Sequence, residues 1–171
     1  MNTWLTWSVL KDALLFLLAL WGAALSTFNW RQAVRKERRE IRVAVSTVFP
    51  TYNTGQVGEP FAMIEATNIG HRAVTVKTLT FELPTGGRMY PIRKNTFPGM
   101  SDTALPASLS DGQSAHLLMS FRDIAAGLLQ DNKFGTIKLT PVCVDSAGGI
   151  YNGEPWDVDP NEFLKQGTSS V

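Results

Sequence analysis

One stretch near the N-terminus, Ala13–Trp30, contains no charged side chain and constrains the fold more than any other feature. As a helix it would rise about 27 Å, close to the ~30 Å hydrocarbon core of a bilayer. Trp7 and Trp30 would then lie about 34 Å apart, which suits the aromatic belts of the two membrane interfaces. Lys11 can extend its ammonium group to the headgroups. We therefore predict an interfacial segment over 1–12 and a transmembrane helix over 13–30.

A buried core helix and a cleaved signal peptide are the alternative interpretations of this stretch. A core helix would present a polar face, which is missing between Leu14 and Leu25. A signal peptide carries its positive charge before the apolar run, whereas here the positive charge follows it. The pattern favours a retained, single-pass helix.

A basic segment follows the apolar stretch and predicts the orientation. Six basic residues between 31 and 42 outnumber Glu37 and Glu40, a local balance of six minus two, or +4. Only Lys11, offset by Asp12, precedes the span, so the positive-inside rule places the N-terminus outside and the long C-terminal part in the cytoplasm. We predict a basic juxtamembrane helix over 31–42 on the cytoplasmic (inner) membrane. The residues predicted at the membrane interface are Trp7, Lys11, Trp30, Arg31, Arg35, Lys36, Arg38 and Arg39.

Small residues at helical spacing lie within the span. Ala19 and Ala23 are four residues apart, as are Gly22 and Ser26. This spacing allows two membrane helices to approach closely. It indicates a homo-oligomer formed through the membrane helix as one arrangement open to the chain.

Composition excludes several function classes for the remainder of the chain. Residues 43–171 carry nine basic and twelve acidic side chains, a net charge of −3, so nucleic acid is not an expected partner. The single cysteine and two histidines provide no set of metal ligands. The sequence has neither a phosphate-binding glycine loop nor a Gly-x-Ser-x-Gly motif. We predict no catalytic residues, no metal and no cofactor, and hence no enzyme.

The C-terminal part carries strand signals. Short runs of β-branched and aromatic residues alternate with turn sequences such as Asn68–Gly70, Pro84–Gly87 and Asp145–Gly149. About seven such runs predict an all-β immunoglobulin-like sandwich over 43–165, with one or two short helices and a disordered tail over 166–171. A small barrel is the alternative.

Local patterns within the sandwich give further expectations. A phase slip at Lys77–Thr78 predicts a bulge or a change of sheet. Pro141 within a strand predicts an edge position or a bulge. Residues 123–131 have helical spacing, and Asp159-Pro160 opens a second short helix that ends at Lys165. Cys143 falls on the apolar face of its strand.

The layout resembles bacterial single-pass membrane-anchored proteins with a cytoplasmic immunoglobulin-like sandwich, a class mostly of unknown function. The segments that carry the resemblance are Ile41–Phe49, Ala66–Val74, Leu105–Gly112 and Asp145–Tyr151. The resemblance implies the architecture of the chain and no activity.

Aromatic and apolar loop residues are the predicted contacts with a partner. They are Phe97, Met100, Tyr151 and Trp156. For Trp156 the alternative is that its ring folds back and caps one end of the sandwich. The sequence predicts a membrane-tethered, non-enzymatic module that docks a protein partner. A membrane effector or assembly subunit that self-associates through its helix is one alternative, and a small-molecule sensor is another.

Overall fold

The structure is a computed structural model that describes residues 3–36, 39–91 and 101–168. The chain divides into two compact units, Met1–Arg38 and Arg39–Val171. The elements in chain order are α1 (Thr3–Lys36), β1 (Ile41–Val48), β2 (Phe61–Asn68), β3 (Val74–Glu82), β4 (Arg88–Met89), β5 (Ala107–Leu109), β6 (Ser114–Ser120), α2 (Phe121–Gln130), β7 (Ile137–Asp145), β8 (Ile150–Asn152), β9 (Trp156–Val158) and α3 (Pro160–Thr168).

The first unit is dominated by α1, a continuous helix of 34 residues. Its segment Val9–Val34 is long and apolar enough to cross a membrane once, and none of that segment is buried within the chain. Leucine and alanine dominate its centre, and both are strong helix formers. The helix therefore has the length and composition that the uncharged stretch predicts.

The second unit contains a small and a large antiparallel sheet. The small sheet has the order β1-β2-β6, and side chains along β2 alternate strictly between its core face and its outer face. The large sheet has the order β4-β3-β7-β8, while β5 also pairs with β3 and β9 with β7. Large apolar side chains from both sheets and α2 fill one core, among them Ile64, Phe81, Ile124 and Leu139. The predicted fold class, an N-terminal helix followed by a β-sandwich with one or two short helices, is confirmed, and the short helices are two, α2 and α3.

Two irregularities of the large sheet follow from local sequence. The register between β3 and β7 shifts between Val76 and Thr78, which confirms the predicted phase slip. Pro141 lies in β7, which has neighbours on both sides, so the predicted edge position is wrong. Its carbonyl accepts from the Gly153 amide on the side of β8 and β9. Proline has no N–H to donate on this side of β7. The strand that runs along this side is therefore interrupted and forms two short pieces, β8 and β9.

An aromatic cluster closes one end of the core. The Phe121 ring stacks on Phe163 of α3 with centroids 3.8 Å apart, and Trp156 lies against Phe81, Phe121 and Phe163 at 5.4 to 5.8 Å. The helix expected over 123–131 begins at Phe121, because the Ser120 hydroxyl accepts from the Asp123 amide and caps it.

The boundaries of two predicted segments differ from the structure. The helix expected over 31–42 is helical to Lys36, and β1 begins at Ile41 because its β-branched residues pair with β2. The helix expected to end at Lys165 continues to Thr168, into the predicted tail. Phe163 anchors this helix on Phe121, and no proline interrupts the chain between Lys165 and Thr168.

Candidate functional site: the open edge of the small sheet

The outer edge of β1 is the feature of the second unit that most resembles a binding site. In an antiparallel sheet, alternate residues direct their backbone N–H and C=O to opposite sides. The backbone N–H and C=O of Asn68 are hydrogen-bonded to Gln113 and Gly112, on the side of β2 that faces β6. Ile41 lies opposite Asn68 in the β1–β2 register, so Ile41 forms no backbone hydrogen bond with β2. By alternation, Val43, Val45 and Thr47 direct their backbone groups away from the sheet.

Gly153 covers the first half of this edge. A methyl group built on Gly153 would lie 2.5 Å from the Val43 carbonyl oxygen and 2.8 Å from Pro141 Cγ. This close approach confirms independently that the Val43 carbonyl faces outward. Beyond this contact, no described strand pairs with the outer side of Val45 and Thr47.

An open groove of about 670 Å³ lies beside this edge. Its lining comes from Ile41–Val45 and from Asn152–Trp156. Arg42, Ala44 and Glu154 are exposed there, whereas Trp156 is half-buried. The groove therefore combines unpaired backbone, an aromatic ring and two opposite charges.

The opposite edge of the small sheet, strand β6, is covered by a neighbouring segment of the chain. The segment 101–103 runs along β6, where the Thr103 amide donates to the His116 carbonyl at 2.9 Å and the Leu118 amide donates to the Asp102 carboxylate at 2.8 Å. The Thr103 hydroxyl accepts from the His116 amide at 3.0 Å. Folded proteins commonly cover sheet edges in this way, since unpaired edges invite other strands. In the described residues, one edge of the small sheet is therefore covered, while the backbone groups of Val45 and Thr47 at the other edge have no strand partner.

A buried carboxylate organises the hairpin between β7 and β8. Asp145 accepts hydrogen bonds from the amides of Ala147 and Gly149 and from the hydroxyl of Tyr151. Burial, followed by the charge of Asp145 and its hydrogen bond, raises the pKa of Tyr151. The Arg39 guanidinium lies 3.8 Å from the same carboxylate. These contacts fix the hairpin structurally and leave no open acid–base group.

Cys143 lies fully buried in β7, on the core face that its pattern predicts. Burial and the nearby charge of Asp145 raise the pKa of its thiol to about 12. Because the thiolate is the reactive species, we expect Ellman's reagent to leave Cys143 unmodified in the folded chain at pH 8 and to label it in denaturant. Equal labelling rates in the two states would contradict this placement.

The same shift gives a pH dependence. An unfolded cysteine loses its proton near pH 8.5, well before the folded one. The unfolded state therefore binds fewer protons between about pH 8.5 and 12, and the free energy of unfolding falls across that window. Cys143→Ala is expected to remove this contribution, which urea titrations at pH 7 and pH 10 would measure.

Both histidines have structural partners. His71 Nδ1 lies 2.7 Å from the Asp111 carboxylate, and both side chains are exposed. His116 contacts the Ser101 carbonyl at 2.8 Å and the Thr103 hydroxyl at 3.3 Å. Across the three described ranges, no group of three or more His, Cys, Asp or Glu side chains could hold a metal ion.

Two of the four predicted partner contacts, Tyr151 and Trp156, lie within the described residues. Trp156 lines the groove while its ring packs on the aromatic cluster, which is the capping arrangement given above as the alternative. Tyr151 is half-buried and its hydroxyl is held by Asp145. Phe97 and Met100 lie outside the described residues.

The predicted membrane residues have these positions. Trp7, Lys11, Trp30 and Arg31 are exposed on α1, and Arg39 belongs to the second unit. The backbones of Arg35 and Lys36 are helical, and Arg38 lies beyond the described ranges. Three residues of this region were not predicted as contacts: Ala44 in the groove, and Val45 and Thr47, whose backbone groups face outward. Their alternating pattern predicts a strand, but no local signal indicates that its outer side is unpaired.

The chain has a weak likeness to a solved structure. No protein-family model matches the chain, and no curated protein matches it. The chain is similar to an X-ray structure described as Northeast Structural Genomics Consortium target SoR45, at 15% sequence identity and a TM-score of 0.31, over 70% of this chain and 85% of that chain.

Proposed function

We propose that the chain is a membrane-tethered, non-enzymatic binding module, an immunoglobulin-like domain that docks a protein partner at the inner face of the cytoplasmic membrane. The observation that supports this function is the uncovered half of β1, at Val45 and Thr47 beside the groove. An exposed strand edge is a common site of protein recognition. The basic flank of α1 supports this orientation. The anchor concentrates the domain at the bilayer, and the sandwich supplies the contact surface.

Crosslinking in the native membrane tests this function. The tagged full chain is compared with a variant lacking residues 43–171 and with a chain in which 13–30 is replaced by an unrelated membrane helix. We expect one stoichiometric protein partner that is lost with the deletion and kept with the exchanged helix. Recovery of the protein alone, as a ladder of its own multimers, would contradict a docking module.

A self-associating helix is the second candidate function, since Ala19, Gly22, Ala23 and Ser26 lie on one face of α1. A methyl group built on Gly22 meets nothing within 4 Å inside the chain. An effect of Gly22→Ile on assembly would therefore arise between chains. If the helix self-associates, we expect this variant to reduce crosslinked dimers several-fold in membranes. Ala24→Ile, on the opposite face, is the matched control, and equal dimer yields for both variants would exclude this packing.

A further inference from the structure

The exposed part of the β1 edge has the properties of an acceptor for another strand. Val45 and Thr47 each direct an N–H and a C=O outward, about 7 Å apart along the strand. Thr47 and Ser46 are exposed, and Val45 is half-buried against the core. An extended segment laid here would gain backbone hydrogen bonds in the pattern of an added strand.

Charge beside the edge selects the chemistry of that segment. Glu154 lines the groove and is exposed, and Asp157 is exposed three residues further along in β9. In the described parts of the chain, neither carboxylate has an ion-pair partner within 4.0 Å, although Lys138 lies opposite Asp157 in the register. Arg42 precedes the contact of Val43 with Gly153 and so lies beside the covered half. Arg39 contacts Asp145 and Gly153 contacts Val43, so β1 and the segment 149–157 run in the same direction. Glu154, which lines the groove with Val45, and then Asp157 therefore follow this contact on the side of Val45 and Thr47.

We propose that β1 accepts an extended, basic segment of the partner as an additional strand, with lysine or arginine side chains toward Glu154 and Asp157. This inference rests on the proposed function, because it specifies how the docked partner is held. The backbone bonds provide affinity, and the carboxylates select positively charged segments. A second copy of this chain is the competing occupant.

Defined peptides test this proposal on the full chain in detergent micelles. The probe is a nonapeptide of alternating threonine and valine with lysine at both ends, and matched peptides carry glutamate at both ends or N-methylated amides. We expect the lysine peptide to slow amide hydrogen exchange at Val45 and Thr47. It should bind about fivefold more tightly than the glutamate peptide at low salt, and N-methylation should abolish binding.

Proline substitutions separate the outer edge from the inner ladder. Thr47→Pro removes an N–H that faces outward, whereas Ser46→Pro removes one that pairs with β2. We expect Thr47→Pro to abolish peptide binding with little change in the urea midpoint of unfolding, and Ser46→Pro to lower that midpoint strongly. Chemical unfolding and peptide titration of both variants measure the difference. Equal loss of stability in the two variants would overturn the assignment of the outward groups.

Other outcomes overturn the proposal in distinct ways. Equal affinity for the lysine and glutamate peptides would remove the charge selection. Protection of Val45 and Thr47 that grows with chain concentration, without peptide, would assign the edge to a second copy. A partner crosslinked in the membrane by residues outside the groove, with no peptide protection, would overturn the added strand and leave the proposed function standing.

Discussion

Asn68→Ala is expected to lower the free energy of unfolding by about 3 kcal/mol, a large fraction of the stability of an ordinary domain. The Asn68 side chain is fully buried at the end of β2. Its amide donates to the carbonyls of Arg72 and Leu109 at 2.9 Å, and its oxygen accepts from the Gly70 amide at 3.0 Å. The variant would remove all three hydrogen bonds and leave the buried Leu109 carbonyl without this donor, whereas the Gly70 amide keeps its 3.2 Å hydrogen bond to the Glu40 carbonyl.

The consequence extends to two loops, because Asn68 joins the turn after β2 to the strand before Gly112. Chemical unfolding of the full chain measures the loss. Asn53→Ala, at an exposed turn position, is the matched control and should change stability by less than about 0.5 kcal/mol. Equal effects of the two substitutions would mean that the buried amide does not hold these loops together.

Gly153→Ala is expected to destabilise the domain by about 2 to 3 kcal/mol and to separate β1 from the β8–β9 edge. The added methyl would lie 2.5 Å from the Val43 oxygen and 3.0 Å from the Val43 carbonyl carbon. Both atoms belong to backbone that is held in the small sheet, so relaxation requires movement of β1 itself. Pro141 Cγ, at 2.8 Å, blocks the other direction.

Gly87→Ala provides the comparison, since the nearest atoms to a methyl there lie at 4.0 Å. Thermal unfolding of both variants gives the difference in stability, and amide exchange at Val43 reports movement of the edge. If Gly153→Ala is as stable as Gly87→Ala, then β1 is not held against the β8–β9 edge as described.

Local pattern predicted the features that depend on neighbours in sequence. The uncharged stretch Ala13–Trp30 predicted α1, the phase slip at Lys77–Thr78 predicted the register shift, and Asp159-Pro160 predicted the start of α3. Each depends on a few consecutive residues, because hydrophobic periodicity and capping are local properties. The inward position of Cys143 follows from the same alternation.

Strand order could not be predicted in this way. The missing N–H of Pro141 predicts an edge position or a bulge, yet β7 lies inside the sheet and the neighbouring edge is interrupted instead. β1 is an edge strand because β2 pairs with it on one side and with β6 on the other, and these strands are far apart in sequence. Only the other edge of the sheet, β6, is covered by the segment 101–103 in the described part of the chain. Asn68 reads locally as a turn residue, although its amide crosses to Leu109.

Site-specific photocrosslinking tests the central claim most directly. A photoreactive residue replaces Ala44 in the groove or, as a control, Phe134, which is 68% exposed and outside the groove lining. Both full-length variants are irradiated in the native membrane. A docking module that uses the β1 edge predicts one protein partner crosslinked from position 44 and none from position 134. Equal crosslinking from both positions, or from neither while the partner still copurifies, would contradict this account.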